Sequence, residues 1–197
     1  MSTVLKNETS GSDMKPSLSK GAIYAFPVVF TTFLTTPFWS ALPGIYAKYF
    51  GLGLPVIATI MLIGRLFDAA TDPMVGYISD NYYAKTGSRK PFMLTGCFLF
   101  IICSYFLFVP TANISPLYFL IWSLAFYLSW TIFQVPHLTW GAEIAGSLGE
   151  RQVMYSFRAG AVYLGLLLFY AVPLLPLFET DEITPQTLKW SFFLVAL

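Results

Sequence analysis

Long apolar runs separated by short polar breaks set the layout of this chain. A helix that crosses a bilayer needs about 20 mostly apolar residues. The runs read as six segments: Gly21 to Tyr49, Pro55 to Ser79, Pro91 to Pro110, Pro116 to Ile144, Gln152 to Phe178, and a sixth starting near Thr187. Gly, Pro or charged residues mark the breaks between them, where turns form readily. The pattern predicts an all-α, polytopic membrane protein with six transmembrane helices. Residues 1–19 form a polar tail and residues 20–197 a six-helix bundle. The sixth segment stops at Leu197 within its apolar run, too short to span. The expectation is therefore that the chain is the front part of something longer. The third segment, "PFMLTGCFLFIICSYFLFV", is apolar all round and is expected to face lipid. The first, second, fourth and fifth carry polar residues and are expected to face one another or a water-filled cavity.

Composition agrees with that pattern. The 197 residues are 56% hydrophobic, 18% aromatic and only 11% charged, with a mean hydropathy of +0.67. That is the composition of a membrane protein. A net charge of +1 gives no reason to expect a nucleic-acid partner. The N-terminal "MSTVLKNETSGSDMKPSLSK" lacks the apolar core of a signal peptide. Cys97 and Cys103 lie six apart in one run, too far along a helix to bridge, and read as small core residues. Lys and Arg favour one side: Lys6, Lys15, Lys20, Lys85, Arg89, Lys90 and Arg151. The other side holds Lys48 and Lys189 with Glu179, Asp181 and Glu182. The basic side is expected to be cytoplasmic, with the N-terminus inside.

The stretch "GRLFDAATDPMVGYISD" places Arg65, Asp68 and Asp72 within two turns of the second segment. Asp68 lies 13 residues beyond Pro55, or ~20 Å along a helix at 1.5 Å per residue. A charge at that depth costs at least ~2.5 kcal/mol on insertion scales, and such residues are functional by default. Asp68 and Asp72 share a face as an i,i+4 pair, and Arg65 can pair with Asp68. The three charges sum to −1, so one carboxylate lacks a fixed partner. Thr71 adds a hydroxyl. Two carboxylates and a hydroxyl suit a small hard cation. A proton could substitute, because two close carboxylates raise one pKa. The bland reading is an ion pair that serves folding.

The motif Arg65-x-x-Asp68-x-x-x-Asp72-Pro73, then Gly76 and "TGSRKPF", resembles the second helix and following loop of the glycoside–pentoside–hexuronide:cation symporters. These are the melibiose-permease-like branch of the major facilitator superfamily. "TIFQVPHLTWGAEI" followed by "ERQVMYSFR" resembles that family's pattern in the fourth and fifth helices. The resemblance covers the chain from about Lys20 onward. It implies a twelve-helix bundle built from two six-helix halves, of which this chain would be the N-terminal half and the C-terminal half its partner. It implies that Asp68 and Asp72 bind a coupling cation, Na⁺ or H⁺, with no other cofactor. Thr131 matches a threonine that joins the sodium site; the bland reading is a hydroxyl bonded back to its own helix.

The same resemblance points to a sugar site. The family member's two sugar-gripping aspartates match Thr32 and Gln134, which can hydrogen-bond but carry no charge. A sugar-contacting tryptophan matches Leu138. Arg158 matches an arginine near the substrate, and its bland reading is a partner for Glu143. Thr32, Thr35, Thr36 and Trp39 recur at helical spacing, as do Trp130 and Gln134, and either set could line a sugar route. His137 reads as packing or a gate. The stretch Gly76 to Lys90 resembles the superfamily loop in which an acid and a basic pair latch helix ends. Asp80, Arg89 and Lys90 would fill those roles, with Arg65, Glu143 and Arg151 in the same charge network.

The expected function is cation-coupled symport of a sugar or glycoside by alternating access, in a bacterial inner membrane and not as an enzyme. The rivals are a lysolipid carrier of the same superfamily, a stand-alone six-helix protein that dimerises, and an intramembrane protease. The chain has one histidine, no Gly-x-Ser-Gly and no His-Glu-x-x-His, so serine and zinc proteases lack their parts. An aspartyl dyad needs carboxylates on facing helices, whereas Asp68 and Asp72 share one.

Overall fold

The computed structural model describes residues 18–111, 114–178 and 182–196. Among them the chain forms α1 (Leu18–Ser40), α2 (Leu42–Phe50), α3 (Leu54–Thr86), α4 (Lys90–Phe108), α5 (Pro116–Ile144) and α6 (Leu148–Ala171). A short 3-10 turn (Val172–Leu174) and α7 (Pro185–Ala196) follow. Among the described residues, five stretches are long and apolar enough to cross a membrane: 18–40, 54–86, 90–108, 116–144 and 148–174. Lys6, Lys15, Glu179 and Asp181 lie outside the described residues.

Local chemistry fixes the boundaries. Helices α2, α3, α4 and α5 each carry Pro in the first turn, where a missing N–H costs nothing. Ser115 and Ser147 cap α5 and α6 by accepting the backbone N–H of Tyr118 at 3.1 Å and of Glu150 at 3.2 Å. Gly51 and Gly87 close α2 and α3 in the left-handed region, at φ 71° and 69°. The first apolar segment is not one helix. It breaks at Ala41, between α1 and α2. Pro37 and Pro43 lack the N–H groups that would bond the Phe33 and Trp39 carbonyls, so the ladder loosens there.

The second segment overshoots its expected end. Helix α3 continues to Thr86, so Gly76 to Thr86 is helix, and the connection is only Gly87 to Arg89. The tail also ends earlier than expected, since Leu18 and Ser19 already belong to α1. The fifth segment starts at Leu148 and leaves regular helix at Ala171.

Helix α1 packs along α6, while α3 and α4 both pack along α5. Small residues allow the close approaches. A Cβ on Gly96 of α4 would sit 2.5 Å from the Phe133 nitrogen of α5, and one on Gly165 of α6 would sit 2.5 Å from the Val29 carbonyl of α1. Aromatic rings tie the two groups together: Phe38 of α1 stacks on Phe126 of α5 at 4.3 Å, and Phe100 of α4 meets Phe126 at 4.8 Å. Helix α4 is therefore not lipid-facing all round. Gly96, Phe100, Cys103 and Leu107 are buried, whereas Leu94, Phe98 and Ile101 are exposed. Both cysteines are free thiols.

Candidate functional site

The α3–α5 contact brings two carboxylates and a hydroxyl together inside the bundle. Asp68 is half-buried and Asp72 exposed, one turn apart on α3. Thr131 of α5 is buried opposite them. Its Oγ1 lies 2.9 Å from Asp68 Oδ1 and 3.0 Å from Asp72 Oδ1. A hydroxyl has one proton, so it donates to one carboxylate at a time. The other carboxylate then faces an oxygen lone pair, and surplus negative charge remains. The donor set is all oxygen, drawn from two helices, and fits a hard cation by its chemistry.

Two sequence expectations fail here. Thr71 does not turn toward the carboxylates; its hydroxyl donates to the carbonyls of its own helix, Phe67 at 3.0 Å and Asp68 at 3.2 Å. Arg65 forms no ion pair with Asp68 among the described residues. Its long side chain reaches instead to α1, where the guanidinium carbon sits 3.7 Å from the Trp39 ring centroid. A cation over a tryptophan face is a favourable pairing.

The expected polar face of α1 does not open onto this site. Thr31, Thr32, Thr35 and Thr36 are all buried. Thr35 and Thr36 donate to the Thr32 carbonyl at 3.2 and 2.8 Å, and Thr32 abuts Gly165 of α6. Thr32 packs α1 against α6, and Thr31, Thr35 and Thr36 turn their hydroxyls to carbonyls of their own helix. Trp130 turns to α4 and to its own helix, meeting Phe100 at 5.7 Å and Phe133 at 6.2 Å. Gln134 has a buried Oε1 with no hydrogen-bond partner among the described residues. So does the Tyr127 hydroxyl, on a ring that meets Trp39 at 5.2 Å and covers Gly64. Tyr127 escaped the sequence reading; its only signal is its place one turn before Thr131.

A second cluster joins α1, α5 and α6. His137 is buried at 1% exposure and stacks on Tyr24 at 4.5 Å with rings 7° apart. Its Nε2 lies 3.1 Å from the Tyr24 carbonyl oxygen, and its Nδ1 lies 3.5 Å from Arg158 Nη1. The Tyr24 hydroxyl donates to the His137 carbonyl at 3.3 Å. Arg158 thus meets His137, not Glu143. Leu138 is exposed.

Glu143 has another partner. Arg89 Nε and Nη2 donate to Glu143 Oε1 at 3.1 and 2.8 Å, and Nη1 reaches Asp80 Oδ1 at 2.7 Å and Ser79 Oγ at 2.9 Å. The Arg89 side chain is only 4% exposed. The Glu143 hydrogen bonds push its pKa further above the usual value, against the opposing pull of burial. Arg89 therefore ties the C-terminal end of α3 to that of α5. Lys90 donates its backbone N–H to Ser88 Oγ at 3.3 Å and forms no ion pair among the described residues. Arg151 Nη2 donates to the Ala142 carbonyl at 3.2 Å and forms no ion pair among the described residues. Lys20 pairs with Glu150 at 3.3 Å, and Lys48 with Glu182 at 3.1 Å. Sequence reading had placed Ser79, Glu150 and Tyr24 in no network.

Comparison with known proteins adds to this geometry. The family model described as "MFS/sugar transport protein" matches residues 18–197. An uncharacterized symporter of Bacillus subtilis (strain 168), YnaJ, is 29% identical over 154 residues, covering 74% of this chain and 32% of that protein. The inner membrane symporter YicJ of Escherichia coli (strain K12) is 27% identical over 116 residues, covering 57% of this chain and 25% of that protein. The sodium-dependent lysophosphatidylcholine symporter 1 of Gallus gallus is 33% identical over 126 residues, or 60% and 23% of the two chains. The chain thus spans about a third or less of the length of these relatives. No solved structure matches it.

Proposed function

The chain belongs to the MFS/sugar transport protein family, a family of membrane transporters and not of enzymes, and from that premise we propose that it is the N-terminal half of a cation-coupled symporter for a sugar-type substrate. The observation that carries the proposal is the Thr131 hydroxyl set between the Asp68 and Asp72 carboxylates, at 2.9 and 3.0 Å. A Na⁺ ion or a proton held there removes the surplus negative charge. It also joins α3 to α5, because its ligands come from both helices. Substrate then binds near the midplane between the two halves, and the neutralised carrier rocks from one side to the other. Cation and substrate raise each other's affinity by the same factor, as linkage requires. Gln134 and Arg158 are the substrate-facing candidates: one holds an unpartnered buried oxygen and the other a guanidinium without a carboxylate among the described residues. Trp39 acts one step back, by holding Arg65. The Arg89–Asp80–Glu143 cluster latches one end of the bundle.

Lys20, Lys85, Lys90 and Arg151 lie at that same end with Arg89, which supports a cytoplasmic N-terminus. A lysolipid substrate is the second reading. It is favoured by the 33% identity to a sodium-dependent lysophosphatidylcholine symporter. The test is uptake of labelled sugars into vesicles holding the natural-length protein, under a sodium gradient and then a proton gradient. Accumulation is expected under one gradient and is lost in Asp68→Asn. Gradient-driven accumulation that survives in Asp68→Asn overturns the cation assignment. Lysophosphatidylcholine uptake in place of sugar uptake moves the assignment to the lipid reading.

A further inference from the structure

The α3–α5 contact is not equally tight along its length. One turn before Asp68, Gly64 lies against the ring of Tyr127, which is itself one turn before Thr131. A Cβ on Gly64 would overlap that ring, at 2.9 Å from Cδ2 and 3.0 Å from Cζ. One turn beyond Asp72 there is room. A Cβ on Gly76 would sit 3.6 Å from Val135 Cγ1, an ordinary contact. On the Gly64 side of the carboxylates, then, the two helices meet as closely as glycine allows. The Tyr127 ring is a hard stop there. It is 1% exposed and meets Phe38 edge-on at 5.3 Å and Trp39 at 5.2 Å. Trp39 is held in turn by the Arg65 guanidinium at 3.7 Å. The Tyr127 hydroxyl is buried with no hydrogen-bond partner among the described residues. What this side chain supplies at the contact is therefore its ring and not a bond.

The spacing set at Gly64 reaches the oxygens one turn away. Thr131 Oγ1 stands 2.9 Å from Asp68 Oδ1 and 3.0 Å from Asp72 Oδ1. Oxygens that close suit a proton or a small ion, whereas a larger ion needs them further apart. We propose that Gly64 is a specificity-determining residue for the coupling cation: by letting Tyr127 seat against α3, it holds the carboxylates close to Thr131 and tunes the site to a small ion. The proposal rests on the reading above that these oxygens bind the cation, and adds to it what sets the size of that ion. A methyl at Gly64 calls for about 0.5–1 Å more separation to reach the ordinary ~3.5–4.0 Å between carbons. The clamped ring cannot give it, so α3 moves and the gap from Asp68 to Thr131 opens with it.

The experiment is calorimetric titration of Na⁺ into the purified natural-length protein, with K⁺ read by its competition. In Gly64→Ala the Na⁺ affinity is expected to fall about tenfold while K⁺ holds, the scale of one weakened charged hydrogen bond, so the Na⁺/K⁺ ratio falls by the same factor. Tyr127→Trp enlarges the same contact from the other helix and is expected to shift the ratio the same way. It carries the test if the alanine variant does not fold. Gly64→Ala combined with Tyr127→Leu makes room for the methyl and is expected to recover most of the ratio, which a general loosening of the bundle would not do. Tyr127→Phe, the conservative variant, keeps the ring and should keep the ratio. Gly76→Ala has space for its methyl and should also keep it. If the parent takes only protons, the opened site is expected to admit Na⁺, with a heat of binding in Gly64→Ala that the parent lacks. An ion preference unmoved in Gly64→Ala and Tyr127→Trp overturns the proposal. So does a Gly76→Ala variant that shifts it as far as Gly64→Ala. The two readings fail separately. Cation binding indifferent to Asp68→Asn removes the cation reading. Binding that needs Asp68 but keeps its preference in Gly64→Ala removes this one alone.

Discussion

Thr131→Val isolates the oxygen that joins α3 to α5. Valine keeps the branched shape and volume, so the buried α5 face stays filled while the hydroxyl disappears. The hydroxyl sits 2.9 and 3.0 Å from two carboxylate oxygens. A hydrogen bond to a charged group contributes about 1.5–3 kcal/mol. Losing that much at a cation site weakens binding by about tenfold to a hundred-and-fifty-fold. The assay is calorimetric titration of Na⁺ into the purified natural-length protein, with substrate affinity measured at saturating Na⁺. Thr131→Ser keeps the oxygen and should stay within about threefold of the parent. Thr71→Val is the control. Its hydroxyl bonds the Phe67 and Asp68 carbonyls of its own helix, so its loss should leave cation affinity within about twofold. If Thr71→Val weakens Na⁺ binding and Thr131→Val does not, the site has been drawn on the wrong threonine.

Three further outcomes follow from the packing and the charge network. Gly96→Ala places a methyl 2.5 Å from the Phe133 backbone nitrogen and should lower stability by ~1–3 kcal/mol in thermal unfolding, because α4 must move off α5. Glu143→Gln leaves the buried Arg89 with Asp80 as its one carboxylate, and should destabilise by up to ~3 kcal/mol. It should also expose that end of the bundle to thiol labelling of an introduced cysteine. Lys48→Met removes a pair whose two side chains are 62% and 71% exposed, and no change in melting temperature is expected at physiological salt.

The apolar pattern placed every long helix, because period and length survive without knowledge of neighbours. Helix α5 was bounded at both ends, Pro116 and Ile144, since a proline opens it and a Gly–Ser break follows it. The α3 terminus was missed by a full two turns. Its polar "DNYYAKT" looks like loop, yet it stays helical until Gly87 supplies the left-handed residue that ends it. The meeting of Asp68, Asp72 and Thr131 was legible through resemblance. The fate of Thr71 and Arg65 was not. Whether a hydroxyl turns to its own helix, or a guanidinium to a tryptophan on another, is decided by side-chain direction across helices. For the same reason, sequence alone left Glu143 open as a bland partner for Arg158 while also grouping it with Arg89, and it is Arg89 that it meets. Opposite charges are plentiful near helix ends, and sequence spacing does not rank them.

The separation between Asp68 and Thr131, 63 residues along the chain, also shapes how the protein is made. At about 5–20 residues per second, a ribosome needs roughly 3–13 s to reach Thr131 after finishing Asp68. Throughout that interval the two aspartates of α3 have no Thr131 hydroxyl to meet. An ionised carboxylate is far dearer in hydrocarbon than a protonated one. Arrival of α5 is then the event that gives the two carboxylates their shared hydroxyl, which makes biogenesis sensitive to any mutation that delays that meeting.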